Sequence, residues 1–193
     1  LVQVFVILFA ITVHEAAHAW TANKMGDPTA AALGRASLNP LVHIDPIGTV
    51  IFPLILILFK MPVFGWAKPV PYNPYNLRHA KKGGLWISFA GPIANILTAG
   101  AAVLLFRVLR LFGARVTDLA ALSKPLEGLS VILLFTALIN ISLAVFNLIP
   151  VPPLDGSGIL AGLLSGRAAE QYERLRPYGF LILLAIMYSG VLN

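Results

Sequence analysis

Residues 1–18 read LVQVFVILFAITVHEAAH, and the kind of fold is decided there. Across 1–13 only Gln3 and Thr12 are polar, so the run reads as a helix in apolar surroundings. It leads without a break into His14-Glu15-Ala16-Ala17-His18. On a helix, positions i and i+4 share a face, so both imidazoles can reach one metal ion. Glu15 stands beside the first imidazole, placed to contact water rather than the metal. Zinc lowers the pKa of water it holds to about 7, and a carboxylate can then take the proton. The same five-residue pattern also arises on solvated faces of soluble helices. The apolar lead excludes that reading here, because ionisable groups in a membrane segment are costly and mark function. The helix is expected to run to about Asn23 and to stop at Lys24-Met25-Gly26-Asp27-Pro28.

Four more apolar blocks follow, at 47–59, 85–112, 129–149 and 180–192. The chain is 58% hydrophobic and 11% charged with a mean hydropathy of +0.84, whereas soluble domains are about 25% charged. A spanning helix needs roughly 20 apolar residues. Blocks 85–112 and 129–149 meet that, 47–59 is too short and is interrupted by Pro53, and the terminal blocks are short. The first block lacks the basic start and cleavage site of a signal peptide. Residues 61–76 carry four prolines around Lys68-Pro69-Val70-Pro71-Tyr72, which suits an extended or edge-strand path. No internal repeat and no appended soluble domain is visible. The expected fold is a mainly α membrane protein: a multi-span helix bundle with a short extended, re-entrant segment between its first and second core helices. Residues 1–193 are read as a single domain.

The net charge of +6 comes from basic links beside the blocks, at Lys60, Lys68, Arg78, Lys81 and Lys82, and again at Arg107, Arg110 and Arg115. Such loops are usual on the cytoplasmic side of a membrane. That places 60–84 on the cytoplasmic side, although the basic 107–124 link weakens the assignment. No soluble basic face with interleaved aromatics is present, so nucleic acid is not an expected partner. The sequence has no cysteine, so any metal must be held by nitrogen and oxygen.

Two histidines leave a catalytic zinc one protein ligand short. The candidates are His43, His79, Asp27, Asp45, Asp118, Glu127 and Asp155. Asp155 stands out, because Pro150-Val151-Pro152-Pro153-Leu154-Asp155-Gly156 breaks a strong span just after Asn147. Irregular backbone at membrane depth is tolerated only in protein or beside a wet cavity. The ordinary alternative is an aspartate capping a short helix. His43 reads as a loop histidine with a structural hydrogen bond, and His79, among basic residues, as interface chemistry. Asn140, in an apolar helix, reads as structural glue between helices.

Three motifs together resemble the site-2 protease family of intramembrane zinc metalloproteases. They are His14-Glu-x-x-His18, Phe89-Ala90-Gly91-Pro92-Ile93-Ala94-Asn95, and Asn147-Leu-Ile-Pro-Val-Pro-Pro-Leu-Asp155-Gly156. They stand in the family's order and cover nearly the whole chain. The resemblance implies one zinc per chain on His14, His18 and Asp155, Glu15 as general base, and Asn147 holding the substrate or its oxyanion. It places Asn95 close to the site. It implies hydrolysis of transmembrane segments of other proteins in a lipid bilayer, in a prokaryotic plasma membrane. Residues 65–71 are similar to a sheet-forming segment of relatives. One departure lies at Ser157 and Gly158, where many relatives carry a second Gly and an Arg; it touches the following turn. No PDZ or CBS module is seen, so control by one is not expected.

If one zinc joins two helices whose ligands both come late, those helices run in the same direction. An odd number of spans then separates them, so 47–59 should dip in and return along 61–72. The extended limb could offer an edge to an unwound substrate. A non-enzymatic alternative is a zinc-binding membrane protein or transporter. Glu15 argues against it, because holding or moving an ion needs ligands but no adjacent base.

Overall fold

The computed structural model describes residues 2–61, 65–113 and 120–189. All regular structure among them is helical. Helix α1 (Val2–Lys24) ends where Gly26 takes φ 111°, a left-handed value that favours glycine. Asp27 then turns the chain into the short α2 (Thr29–Ala32). Its carboxylate is fully buried and accepts from the Thr29 backbone, the Asn73 backbone (2.6 Å) and Asn76 Nδ2 (2.9 Å). Beside it, Arg78 N–H donates to Met25 C=O at 3.0 Å. The end of α1 is therefore tied to the residues that lead into α4.

Between those two points the chain makes an excursion. Asp45 accepts from the Ile47 and Gly48 amides and starts a wide turn at Pro46–Ile51, continued by α3 (Phe52–Leu58). The chain comes back beside its own start: Trp66 N–H donates to Gly48 C=O (3.1 Å) and Lys68 N–H to His43 C=O (2.9 Å). Of the extended or edge-strand path expected here, the structure shows the extended form, since no strand occurs among the described residues. Pro69, Pro71 and Pro74 have no N–H for a ladder. The Arg35 guanidinium, rather than a neighbouring strand, holds the Lys68 and Pro69 carbonyls.

Helix α4 (Ala80–Gly113) passes through Pro92 and packs against α1, α5 and α6. Helix α5 (Ala120–Asn147) ends in a proline turn, followed by α6 (Asp155–Leu163), α7 (Gly166–Leu175) and α8 (Gly179–Tyr188). Both α4 and α5 start some residues before the apolar blocks at 85 and 129. Hydropathy marks the apolar stretch of a helix, whereas hydrogen bonding sets its ends. Three helices, α1, α4 and α5, are long and apolar enough to cross a membrane.

The packing has small residues inside and large ones outside. Ala10, Ala16, Ala19, Ala22, Ala99, Ala102, Ala137 and Ala144 are buried, while Phe5, Leu97, Leu104, Leu111 and Val145 are exposed. Small residues let helix backbones approach closely, which is how helices associate where no water is expelled. Ala99 and Ala102 meet Ala137 in this way. Leucine at any of the three would overpack the contact, at a cost of about 1–3 kcal/mol. Helix α6 docks by the same means: a Cβ on Gly158 would lie 2.1 Å from Ser88 Oγ, and one on Gly162 2.9 Å from Leu85 Cβ. That docking carries Asp155 to α1.

Candidate metal centre

His14 and His18 lie one turn apart on α1, both buried against α4. The His18 Nδ1–H donates to the Ile87 carbonyl at 2.6 Å, an oxygen that can only accept. The His14 Nδ1 lies 2.6 Å from Asn95 Oδ1. In the neutral rings both Nε2 atoms then carry the bare lone pairs, and they sit 3.1 Å apart. Asp155 Oδ2 completes a triangle, 3.0 Å from His14 Nε2 and 3.3 Å from His18 Nε2. That oxygen is buried and accepts no hydrogen bond.

Three such atoms so close repel one another unless a proton or a metal cation lies among them. Tetrahedral zinc with bonds of about 2.0–2.2 Å would space its ligand atoms by roughly 3.3–3.6 Å. The triangle, with edges of 3.0–3.3 Å, is a few tenths of an ångström tighter, and a small opening lets the donor set fit zinc. Among the described residues these three are the group that could hold a metal ion. Leu154 occupies the cap position of α6 and Asp155 lies inside the first turn, so the helix-cap alternative does not hold.

Backbone makes the room. A Cβ on Gly91 would lie 2.5 Å from His14 Cε1 and His18 Nε2 and 2.6 Å from His14 Nε2. Gly156, just after the aspartate, has no space either: its Cβ would meet the Leu148 carbonyl at 2.2 Å. Reading the residues singly missed both roles, because what matters is an atom that is not there.

Glu15 is half-buried and opens on a cleft of about 360 Å³. Trp66 and Tyr72 of the returning limb line it, with Leu143, Phe146 and Asn147 of α5. The Asn147 amide donates from Nδ2 to its own helix at Leu143 C=O (2.9 Å), which anchors it at the cleft edge. The other ligand candidates are placed elsewhere. His43 is buried with Nε2 bonded to the Ser37 carbonyl (2.8 Å), Asp45 holds two backbone amides, and His79 and Glu127 are exposed. Burial would raise the Asp27 carboxyl, but hydrogen bonds from Thr29, Asn76 and the Asn73 backbone outweigh it and hold it at about 2. Asp118 and Arg115 lie outside the described residues.

Two histidines one turn apart, a carboxylate beside the first and a second carboxylate facing both across a cleft are the equipment of a zinc-dependent peptidase. The chain belongs to peptidase family M50, whose sequence profile matches residues 2–189. It is 36% identical over 186 residues to the Bacillus subtilis (strain 168) protein named "Putative zinc metalloprotease YwhC", covering 96% of this chain and 80% of that one. It is 28% identical over 186 residues to "Putative zinc metalloprotease Rip2" of Mycolicibacterium smegmatis, covering 96% of this chain and 66% of the relative. A third match, to "Putative zinc metalloprotease Cj1068" of Campylobacter jejuni, is 38% identical over 87 residues, 42% of this chain and 24% of that one. No solved structure matches. By family the chain is a metalloprotease, and the resemblance of its motifs to site-2 proteases stands.

Proposed function

We propose that residues 1–193 act as one intramembrane metalloprotease domain that hydrolyses peptide bonds in or near transmembrane segments of other proteins. His14, His18 and Asp155 hold one zinc per chain, Glu15 is the general base, and Asn147 steadies the substrate or its oxyanion. The observation that carries the reading is the triangle of two imidazole nitrogens and a carboxylate oxygen with edges of 3.0–3.3 Å. Zinc, when bound, acidifies water and polarises a carbonyl oxygen. Glu15, at the cleft and off the triangle, is free to take a proton and return it to the leaving amine. The membrane setting is supported by three long apolar helices and by alanine-lined contacts under an exterior of large apolar side chains. A prokaryotic plasma membrane fits the bacterial relatives.

A substrate helix has its carbonyls already hydrogen-bonded, so it must unwind before cleavage. The returning limb at 65–72 forms the cleft wall and is extended enough to lie beside an unwound segment. In this reading 47–59 returns to its starting side, supported by the Trp66–Gly48 and Lys68–His43 backbone bonds, and α4 is the one crossing between α1 and α5. Nothing in the relatives' names supports a binding or transport role. Metal analysis of the purified protein tests the reading: one zinc per chain is expected, with His14→Ala, His18→Ala and Asp155→Ala each weakening it. Unchanged zinc in Asp155→Ala would remove Asp155 from the centre.

A further inference from the structure

We propose that Asn140, which touches no metal ligand, is a positioning residue for zinc binding that acts through Asn95 on His14. The proposal rests on the zinc reading above. Its basis is a chain of hydrogen bonds across three helices in which each orientation is forced. Asn95 Nδ2 faces the Ala10 carbonyl at 3.1 Å, and a carbonyl can only accept, so the amide nitrogen must point at α1. The same NH₂ gives its other hydrogen to Asn140 Oδ1 at 2.8 Å. Asn140 cannot be reversed, because its Nδ2 is committed to the Thr136 carbonyl at 2.8 Å. What remains of Asn95 is Oδ1, which faces His14 Nδ1 at 2.6 Å. His14 must therefore donate from Nδ1, and its Nε2 is left bare toward Asp155.

Two backbone carbonyls, Ala10 and Thr136, thus set every proton position in the chain. Both asparagines are fully buried, so no solvent offers an alternative partner. The opposite tautomer would set a bare Nδ1 against the Asn95 oxygen and put a proton on Nε2, where the metal must bind. An outer hydrogen bond of this kind commonly changes metal affinity by about 10- to 100-fold. Simple gluing of α4 to α5 would need none of this directionality, and the two roles differ in what they change.

The test uses purified protein in phosphatidylcholine nanodiscs, with zinc affinity read by chelator competition for the parent, Asn95→Leu, Asn140→Leu and the double variant. Asn140→Leu should weaken zinc about tenfold when Asn95 is present and add nothing in the Asn95→Leu background. No loss, or the same loss in both backgrounds, overturns the proposal. A second readout follows the Nδ1–H proton resonances of the zinc-loaded protein. Asn140→Leu should move that of His14 and leave that of His18, which is bonded to Ile87. Equal movement of both, or of neither, also overturns it. A parent chain that holds no zinc at all would sink the metal reading, and the proposal with it. A zinc-holding parent with insensitive variants would sink the proposal alone.

Discussion

At Gly91 the distance to both histidine rings leaves no place for a methyl group. The nearest atoms, at 2.5 Å, belong to packed imidazoles rather than to flexible chain ends. Gly91→Ala should therefore push the rings apart and weaken zinc by ~10-fold or more, on the scale of changes just outside a metal's ligands. Helix content should hold, since alanine favours a helix over glycine. Wild-type zinc affinity in that variant, measured by chelator competition, would show that the rings can give way. His14, Glu15 and His18 were legible in the sequence because a helical period of four is a local property. Asp155 was not legible to the same degree. Its spacing allowed a metal ligand or a helix cap; the family resemblance favoured the ligand, and the structure places Leu154 at the cap and Asp155 beside both histidines. Gly91 was quoted within a motif, but its function depends on which side chains face it from another helix.

The elements show the same division. Apolar blocks announced three long helices but not the starts of α4 and α5, which lie ahead of the blocks in more polar sequence such as Lys81-Lys82. A parity requirement imposed by one shared metal predicts that 47–59 returns rather than crosses, and the chain does come back beside its own start at Gly48 and Trp66. Between an extended path and an edge strand the structure takes the first, because proline-rich sequence dictates an extended path without supplying the N–H groups that a ladder needs. Topology can be checked with single cysteines, since the native chain has none. Met25→Cys and Arg78→Cys, in separate variants, should be labelled by an impermeant thiol reagent from the same face. Opposite faces would show that 47–59 crosses the membrane. The clasp at Asp27 also carries a pH signature. Its carboxyl is lowered from 3.8 to about 2, so its contribution is complete above 3.8 and is lost as pH falls toward 2. Thermal unfolding should occur at progressively lower temperature across that window in the native chain, and Asp27→Asn should remove this part of the pH dependence. An unchanged slope in Asp27→Asn would assign the acid sensitivity elsewhere.

For the whole molecule, the arrangement joins two needs that conflict in water. Large apolar side chains face outward, and ionisable groups gather inside, where each is costly unless paired or bound to metal. In the proposed reading zinc would offset that cost where His14, His18 and Asp155 meet, and Glu15 at the cleft would turn a binding site into a catalytic one. That last step is the central claim, and one measurement addresses it most directly. Purified native chain and Glu15→Gln, each in lipid bilayers with zinc content measured, are incubated with single-span substrates. Both should hold one zinc, the native chain should cut, and the variant should be slower by ~10²-fold or more, as expected for loss of a positioned acid–base group. Cleavage by Glu15→Gln at the native rate, with the same zinc content, would contradict the mechanism.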